Sequence, residues 1–156
     1  VHSRLKIKLV MKRINDYKKL FGVESEIELK ALKKSYRNLV KEWHPDKFQD
    51  GDALQEAAEI KSRKIIDGYH FLVSMAPETK ALNLENYTET ITNSSIADYI
   101  HKGMLLEITY TDGSAYEYFG VTKQVYVKMN NSPKLSRFAK RSIYTKFPYR
   151  MTKRKA

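Results

Sequence analysis

The chain contains no cysteine. That excludes a disulfide framework, a thiolate nucleophile and a thiolate metal site together, and it fits a reducing, cytoplasmic setting. Nowhere does an apolar run approach the roughly 20 residues that a membrane span needs. With 30% charged residues the chain reads as soluble, and no membrane partner is expected. No glycine-rich phosphate loop is present, and the histidines (His2, His44, His70, His101) lack the mutual spacing of metal ligands. No cofactor and no metal are therefore expected.

One further absence is positional. After Glu117 there is no acidic residue, although 11 of the 29 lysines and arginines lie beyond it. The remaining 18 bases are matched by 18 acids in residues 1–117, so the net charge of +11 belongs wholly to the C-terminal quarter. Only that quarter has a net field to offer an anionic partner.

What is present begins with a helical pattern. Met11 reads as a natural start, with Val1 to Val10 either an upstream start or an addition. Those ten residues alternate Arg4, Lys6 and Lys8 with Leu5, Ile7 and Leu9, which suggests a strand. The interleaved lysines rule out the apolar core of a signal peptide. Asn15-Asp16 caps a short helix carrying Tyr17, Leu20 and Phe21, with Gly22 placed to end it. Ser25 and Glu28 have capping-box spacing. Behind them Leu29, Leu32, Tyr36, Leu39, Val40 and Trp43 form an apolar stripe over about residues 26–43. Lys30, Lys33, Lys34, Arg37 and Lys41 take the other faces. Pro45 stops this helix and pushes His44 toward extended backbone.

Gly51 gives a turn and Asp52 an N-cap for a second helix over about 53–75, striped by Leu54, Ala58, Ile65, Tyr69 and Leu72. Two helices of similar length joined by a short loop pack antiparallel. The loop with His44-Pro45-Asp46 then projects from one end, where a rigid scaffold presents partner-contacting residues. An acid-base role for His44 and Asp46 would need a nucleophile or a second carboxylate beside them, and the chain supplies none there. No enzymatic activity is expected.

These residues resemble the J-domain of DnaJ-type co-chaperones. The resemblance rests on Asp16-Tyr17, Leu20 to Val23, Leu32 to Leu39, Trp43 to Lys47, Ile65, Gly68-Tyr69 and Leu72. It implies a domain over 15–76 that docks on a DnaK-type chaperone and stimulates its ATP hydrolysis. The implied contact residues are Lys33, Tyr36, Arg37 and Lys41 on the basic helix, and His44, Pro45 and Asp46 in the loop. Ser62 stands where the family usually has a core phenylalanine, and Gly68 where it usually has alanine. The family's fourth helix is not evident after Pro77.

Residues 77–92 read as a linker. A strand is then expected around Ile96 to Ile100, another over Leu105 to Tyr110, a turn at Thr111-Asp112-Gly113 and a return strand over Ala115 to Phe119. Thr122 caps a short helix with Val125, Tyr126 and Met129. Another helix starts near Pro133 and carries Leu135, Phe138, Ile143 and Phe147. Ser95-Ile96, Tyr99, Leu106, Asp112-Gly113, Tyr116 to Tyr118, Gly120-Val121, Val125-Tyr126 and Phe147 to Tyr149 resemble the KTSC domain, here over 93–150. Residues 1–14 are then an N-terminal extension and 151–156 a basic tail.

The expected fold is α+β: an N-terminal antiparallel helical hairpin and a small C-terminal domain of antiparallel strands with two helices. The C-terminal aromatics either form its core or, with the unopposed bases, stack on RNA. The candidate RNA-contacting residues are Lys134, Arg137, Lys140, Arg141, Lys146, Arg150, Lys153, Arg154 and Lys155. The expected function is a co-chaperone whose C-terminal domain binds a client, a ribosome or RNA. The alternative is an RNA-binding or ribosome-associated protein that uses its J-domain only for recruitment or as a scaffold.

Overall fold

The computed structural model describes the backbone of residues 2–48, 51 and 53–156, and the side chains of these from residue 12 onward. The chain is α+β, with helices first and an antiparallel sheet after them. It divides into two compact units, residues 13–81 and residues 82–156 together with 1–12.

Helix α1 runs unbroken over His2–Phe21. The strand expected near the start is therefore helical, and the Asn15-Asp16 cap lies mid-helix. Lysine, arginine, leucine and methionine are all good helix formers, and no glycine or proline interrupts them before Gly22. That continuity outweighs a short alternating pattern. Gly22 ends the helix with φ +68°, while the Val23 N–H donates to the Lys18 carbonyl at 2.8 Å and that of Gly22 to Lys19 at 3.3 Å. This double closure is the one a left-handed residue permits after a helix.

Helix α2 spans Leu29–Trp43 and α3 spans Ala53–Met75. The N-cap of α2 is Glu28 without a side-chain cap bond, so Ser25 does not form the expected capping box. The cap expected at Asp52 lies outside the described residues. Tyr36 stacks on Tyr69 at 4.1 Å, while Trp43 meets Ser62. Rising numbers on one helix meet falling numbers on the other, so the pair is antiparallel. Leu32, Ala58, Ile65 and Leu72 are fully buried between them with Phe21, Ile27 and Phe71. A buried leucine such as Leu32 contributes about 1.5–3 kcal/mol. Leu54 departs from its expected stripe and is 60% exposed. Since α2 already ends opposite Ser62, the first turn of α3 runs past it.

Residues 77–92, expected as a linker, lie within α4, Pro77–Asn93. Proline at the first helical position is preorganised for a helix start. Tyr87 and Thr90 are buried and Ile91 half-buried, a three-and-four spacing that the threonines and asparagines disguise.

In the C-terminal unit β1 (Ile96–Lys102), β2 (Leu105–Tyr110), β3 (Ala115–Phe119) and β4 (Tyr149–Lys153) form one antiparallel sheet in that order. Helices α5 (Lys123–Asn130) and α6 (Leu135–Ser142) connect β3 to β4. Thr122 caps α5 as expected, its hydroxyl accepting from the Val125 N–H at 3.3 Å. Helix α6 ends earlier than expected. Ile143 is its C-cap, and Phe147 is buried beyond the helix, where Pro148 disfavours helical backbone. Part of the expected basic tail is strand β4, with Tyr118 opposite Tyr149 and Tyr116 opposite Met151. Its five residues alternate too briefly to stand out in sequence.

The aromatic residues of this unit are its core. Tyr87, Tyr110, Tyr116, Tyr118, Tyr144 and Phe147 are all buried. Four tyrosines form a directed chain. The Tyr87 hydroxyl donates to the Tyr144 carbonyl at 2.9 Å and lies 3.0 Å from the Tyr118 hydroxyl, which lies 2.7 Å from that of Tyr110. Because Tyr87 spends its only proton on the carbonyl, Tyr118 must donate to Tyr87, and Tyr110 to Tyr118. Burial pushes all three phenols far above their ordinary range.

Candidate docking surfaces

The His44-Pro45-Asp46 segment is built by the end of α2. His44 takes extended backbone, φ −61° and ψ 128°, and Pro45–Lys47 form one 3₁₀ turn. The N–H groups of Lys47 and Phe48 donate to the carbonyls of His44 and Pro45, both at 3.0 Å. The Asp46 N–H donates to His44 Nδ1 at 3.2 Å. A nitrogen that accepts is unprotonated, so the ring keeps its proton on Nε2, free for a partner. The Asp46 carboxylate lies 3.5 Å from the same Nδ1, and that contact becomes an ion pair only if the ring is charged. The side chain of Asp46 is 91% exposed and that of His44 51%.

Two contacts fix where this turn leaves the hairpin. Trp43 supplies the last carbonyl of α2. The Lys47 N–H that a continuing helix would offer it turns to His44 instead. Ser62 Oγ on α3 takes that place, donating at 2.8 Å. The Lys61 ammonium also lies 5.5 Å from the centre of the Trp43 ring. Sequence reading sees Ser62 only as a missing phenylalanine, and no local pattern announces a cap supplied from another helix.

Lys33, Arg37 and Lys41 are exposed at four-residue intervals, one basic face leading to the turn. Tyr36 and Pro45 are half-buried. The Tyr36 ring is stacked on Tyr69, so it offers an edge and a hydroxyl more than a face. All seven contact residues implied by the J-domain resemblance thus lie on α2 or in the turn that follows it.

The nine candidate residues of the C-terminal unit separate. Lys134, Arg137, Lys140, Arg141 and Lys146 are exposed on α6 and beside it. Arg150 is mostly buried and pairs with Glu117 at 3.1 Å. Lys155 pairs with Glu89 at 3.4 Å, and the Ala156 N–H donates to the Asp112 carbonyl at 3.0 Å, so the segment after β4 is tied back. Lys153 and Arg154 are exposed. The buried tyrosines are not available for base stacking. Among the described residues no group of histidine and carboxylate side chains could hold a metal ion, and no helix is long and apolar enough to cross a membrane.

Comparison with known proteins bears on each half. A KTSC domain is found at residues 92–147, which include β1 to β3, α5 and α6. The N-terminal region is similar to DnaJ-type proteins. It is 38% identical over 73 residues to the chaperone protein DnaJ of Mesomycoplasma hyopneumoniae, covering 46% of this chain and 19% of that protein. Against a tetratricopeptide repeat and J domain-containing co-chaperone of Fusarium oxysporum it is 33% identical over 79 residues, 51% of this chain and 15% of the other. With mouse DnaJ homolog subfamily B member 8 the identity is 37% over 57 residues, 36% and 24% of the two chains. The chain thus spans less than a quarter of each of these relatives. No solved structure matches it.

Proposed function

We propose that residues 15–76 act as a J-domain that docks on a DnaK-type ATPase chaperone and stimulates its ATP hydrolysis. The observation that carries this reading is the exposed His44-Pro45-Asp46 turn, held at the end of an antiparallel hairpin and approached by the basic face Lys33, Arg37 and Lys41. The similarity of this region to DnaJ and to a J domain-containing co-chaperone supports it. The domain itself performs no bond chemistry. Its cations steer it to an acidic surface, each exposed pair contributing little while the set raises the association rate. The turn then offers the Nε2–H of His44 and the carboxylate of Asp46 to a site that differs between the chaperone's nucleotide states. Only such differential binding can change the hydrolysis rate.

In this reading the C-terminal unit binds the second partner, a client, a ribosome or RNA, to which the chaperone is brought. If the second partner is RNA, co-chaperone and RNA-associated roles are compatible in one chain. His44→Gln is the test. It should reduce stimulated ATP turnover to the basal rate while the circular dichroism spectrum and melting temperature stay unchanged. Undiminished stimulation by this variant would reject the reading.

A further inference from the structure

We infer that the layer formed by α5 and α6 is a binding surface for the sugar-phosphate backbone of RNA. This deepens the reading of the C-terminal unit and does not depend on chaperone docking. Between residues 123 and 146 the chain carries Lys123, Lys128, Lys134, Arg137, Lys140, Arg141 and Lys146, and no acidic residue. All seven are exposed. Among the described residues none of them is in an ion pair, whereas Arg150 and Lys155 of the neighbouring strand and tail are.

The two helices pack on each other and turn their apolar sides inward. Met129 of α5 and Ala139 of α6 are fully buried, with Val125, Leu135 and Phe138 packed against the same core. The cations are exposed on these helices and the segments flanking them, with Lys140 also donating to the Thr92 carbonyl at 3.4 Å. Lys134, Arg137 and Arg141 follow one another at three- and four-residue steps, and Lys140 lies beside them. A stretch with seven cations and no internal counter-charge is complementary to a polyanion.

The composition of the layer selects among polyanions. An anionic membrane would draw in apolar side chains as well as charge, and Val127, 42% exposed, is the one large hydrophobic side chain this layer exposes. Base stacking would need a free aromatic face. Tyr126 is half-buried with its ring stacked on His101 at 4.7 Å. What remains is contact with phosphates, which is indifferent to sequence. The exposed amides of Gln124 and Asn131 stand among the cations, and such groups pair with the 2′-hydroxyl that distinguishes RNA from DNA.

The full chain is titrated against a labelled single-stranded RNA over a range of salt concentrations. Seven phosphate contacts predict a slope of log affinity against log salt of about −5. The triple variant Arg137→Gln, Lys140→Gln, Arg141→Gln should lower the slope to about −3 and weaken binding by about tenfold or more. The triple variant Lys33→Gln, Arg37→Gln, Lys41→Gln on α2 should bind RNA as the wild type does while losing ATPase stimulation, so the two readings fail separately. Salt-independent binding, an unchanged slope in the α6 variant, or an equal loss in the α2 variant would overturn the proposal. So would equal affinity for DNA of the same sequence or for polyglutamate of the same charge.

Discussion

Ser62 caps Trp43: the serine hydroxyl of α3 donates 2.8 Å to the closing carbonyl of α2, immediately before His44. The bond spans 19 residues of sequence and joins the two helices at the point where the exposed turn begins. A helix end held from outside cannot fray freely, so the direction in which His44, Pro45 and Asp46 emerge is set by the packing of the hairpin. The position that loses a core phenylalanine relative to the J-domain pattern thereby gains a polar role.

Ser62→Ala should lower stability by about 0.5–1.5 kcal/mol, the net contribution of one hydrogen bond, with the Trp43 carbonyl left to water. The larger effect should be local. Hydrogen exchange at the Lys47 and Phe48 amides should accelerate beyond what the global loss explains, because both close the turn on carbonyls next to Trp43. Ser62→Thr keeps the donor and should restore slow exchange. Equal exchange in wild type and Ser62→Ala would mean that the turn holds itself.

Gly68→Ala tests a close approach between helices. A Cβ at this position would sit 2.7 Å from Cδ1 of Tyr17 and 3.0 Å from Cε2 of Phe21, so the α1 rings rest directly on the α3 backbone. Alanine is the better helix former by about 1 kcal/mol, yet overpacking costs about 1–3 kcal/mol. The variant should therefore melt at a lower temperature than the wild type. Adding Tyr17→Leu should recover part of the loss, since it removes the ring carbon nearest the new methyl group. A higher melting temperature for Gly68→Ala alone would refute the contact.

These two residues mark how far sequence can be read. The hairpin, the triplet, the boundaries of α3, β2 and β3 and the Thr122 cap were legible, because each rests on local periodicity or local capping chemistry. Helix α4 was hidden because its inward residues include Thr90, a polar side chain buried against Asp112, where a pattern search expects an apolar one. Strand β4 was hidden because its evidence lies in β3, 31 or more residues away in register. The Ser62 cap and the Gly68 contact are tertiary facts. No one-dimensional pattern encodes them. In the basic quarter, charge counting found the excess but could not separate Arg150 and Lys155, which form ion pairs, from the cations of α5 and α6, which among the described residues form none.

Asp112→Asn probes the hairpin between β2 and β3. The carboxylate accepts from the Ser114 N–H at 2.9 Å, the Ser114 hydroxyl at 2.6 Å and the Thr90 hydroxyl at 2.6 Å. Burial acts to raise its pKa, but the hydrogen bonds from Ser114 and Thr90 outweigh it and hold the pKa below the ordinary value. A depressed folded-state pKa gives stability that is present above the unfolded value of about 3.9 and lost as pH falls through the folded one. Wild type should thus lose stability below about pH 4, and Asp112→Asn should lose less over the same window. Chemical denaturation at pH 7 and at pH 3 measures the difference. Parallel losses in both proteins would remove Asp112 from the account.

The tyrosine chain predicts behaviour at the opposite end of the pH scale. An unfolded tyrosine ionises near pH 10. Burial pushes the phenols of Tyr118, Tyr110 and Tyr87 far above that, and Tyr116 is pushed up to about 12. A raised folded-state pKa gives stability that is fully present below about pH 10 and lost as pH rises toward the folded value. Each such phenol contributes a slope of about 1.4 kcal/mol per pH unit in that window, so four together should make alkaline unfolding abrupt. Tyrosinate absorbance from the buried set should appear only together with loss of the sheet signal. Tyr118→Phe removes the central hydroxyl, which lies within hydrogen-bond distance of those of Tyr87 and Tyr110, and should cost about 1–3 kcal/mol at pH 7. It should also flatten the alkaline transition. A single smooth titration of all eleven tyrosines near pH 10, with the sheet signal intact, would contradict the buried chain.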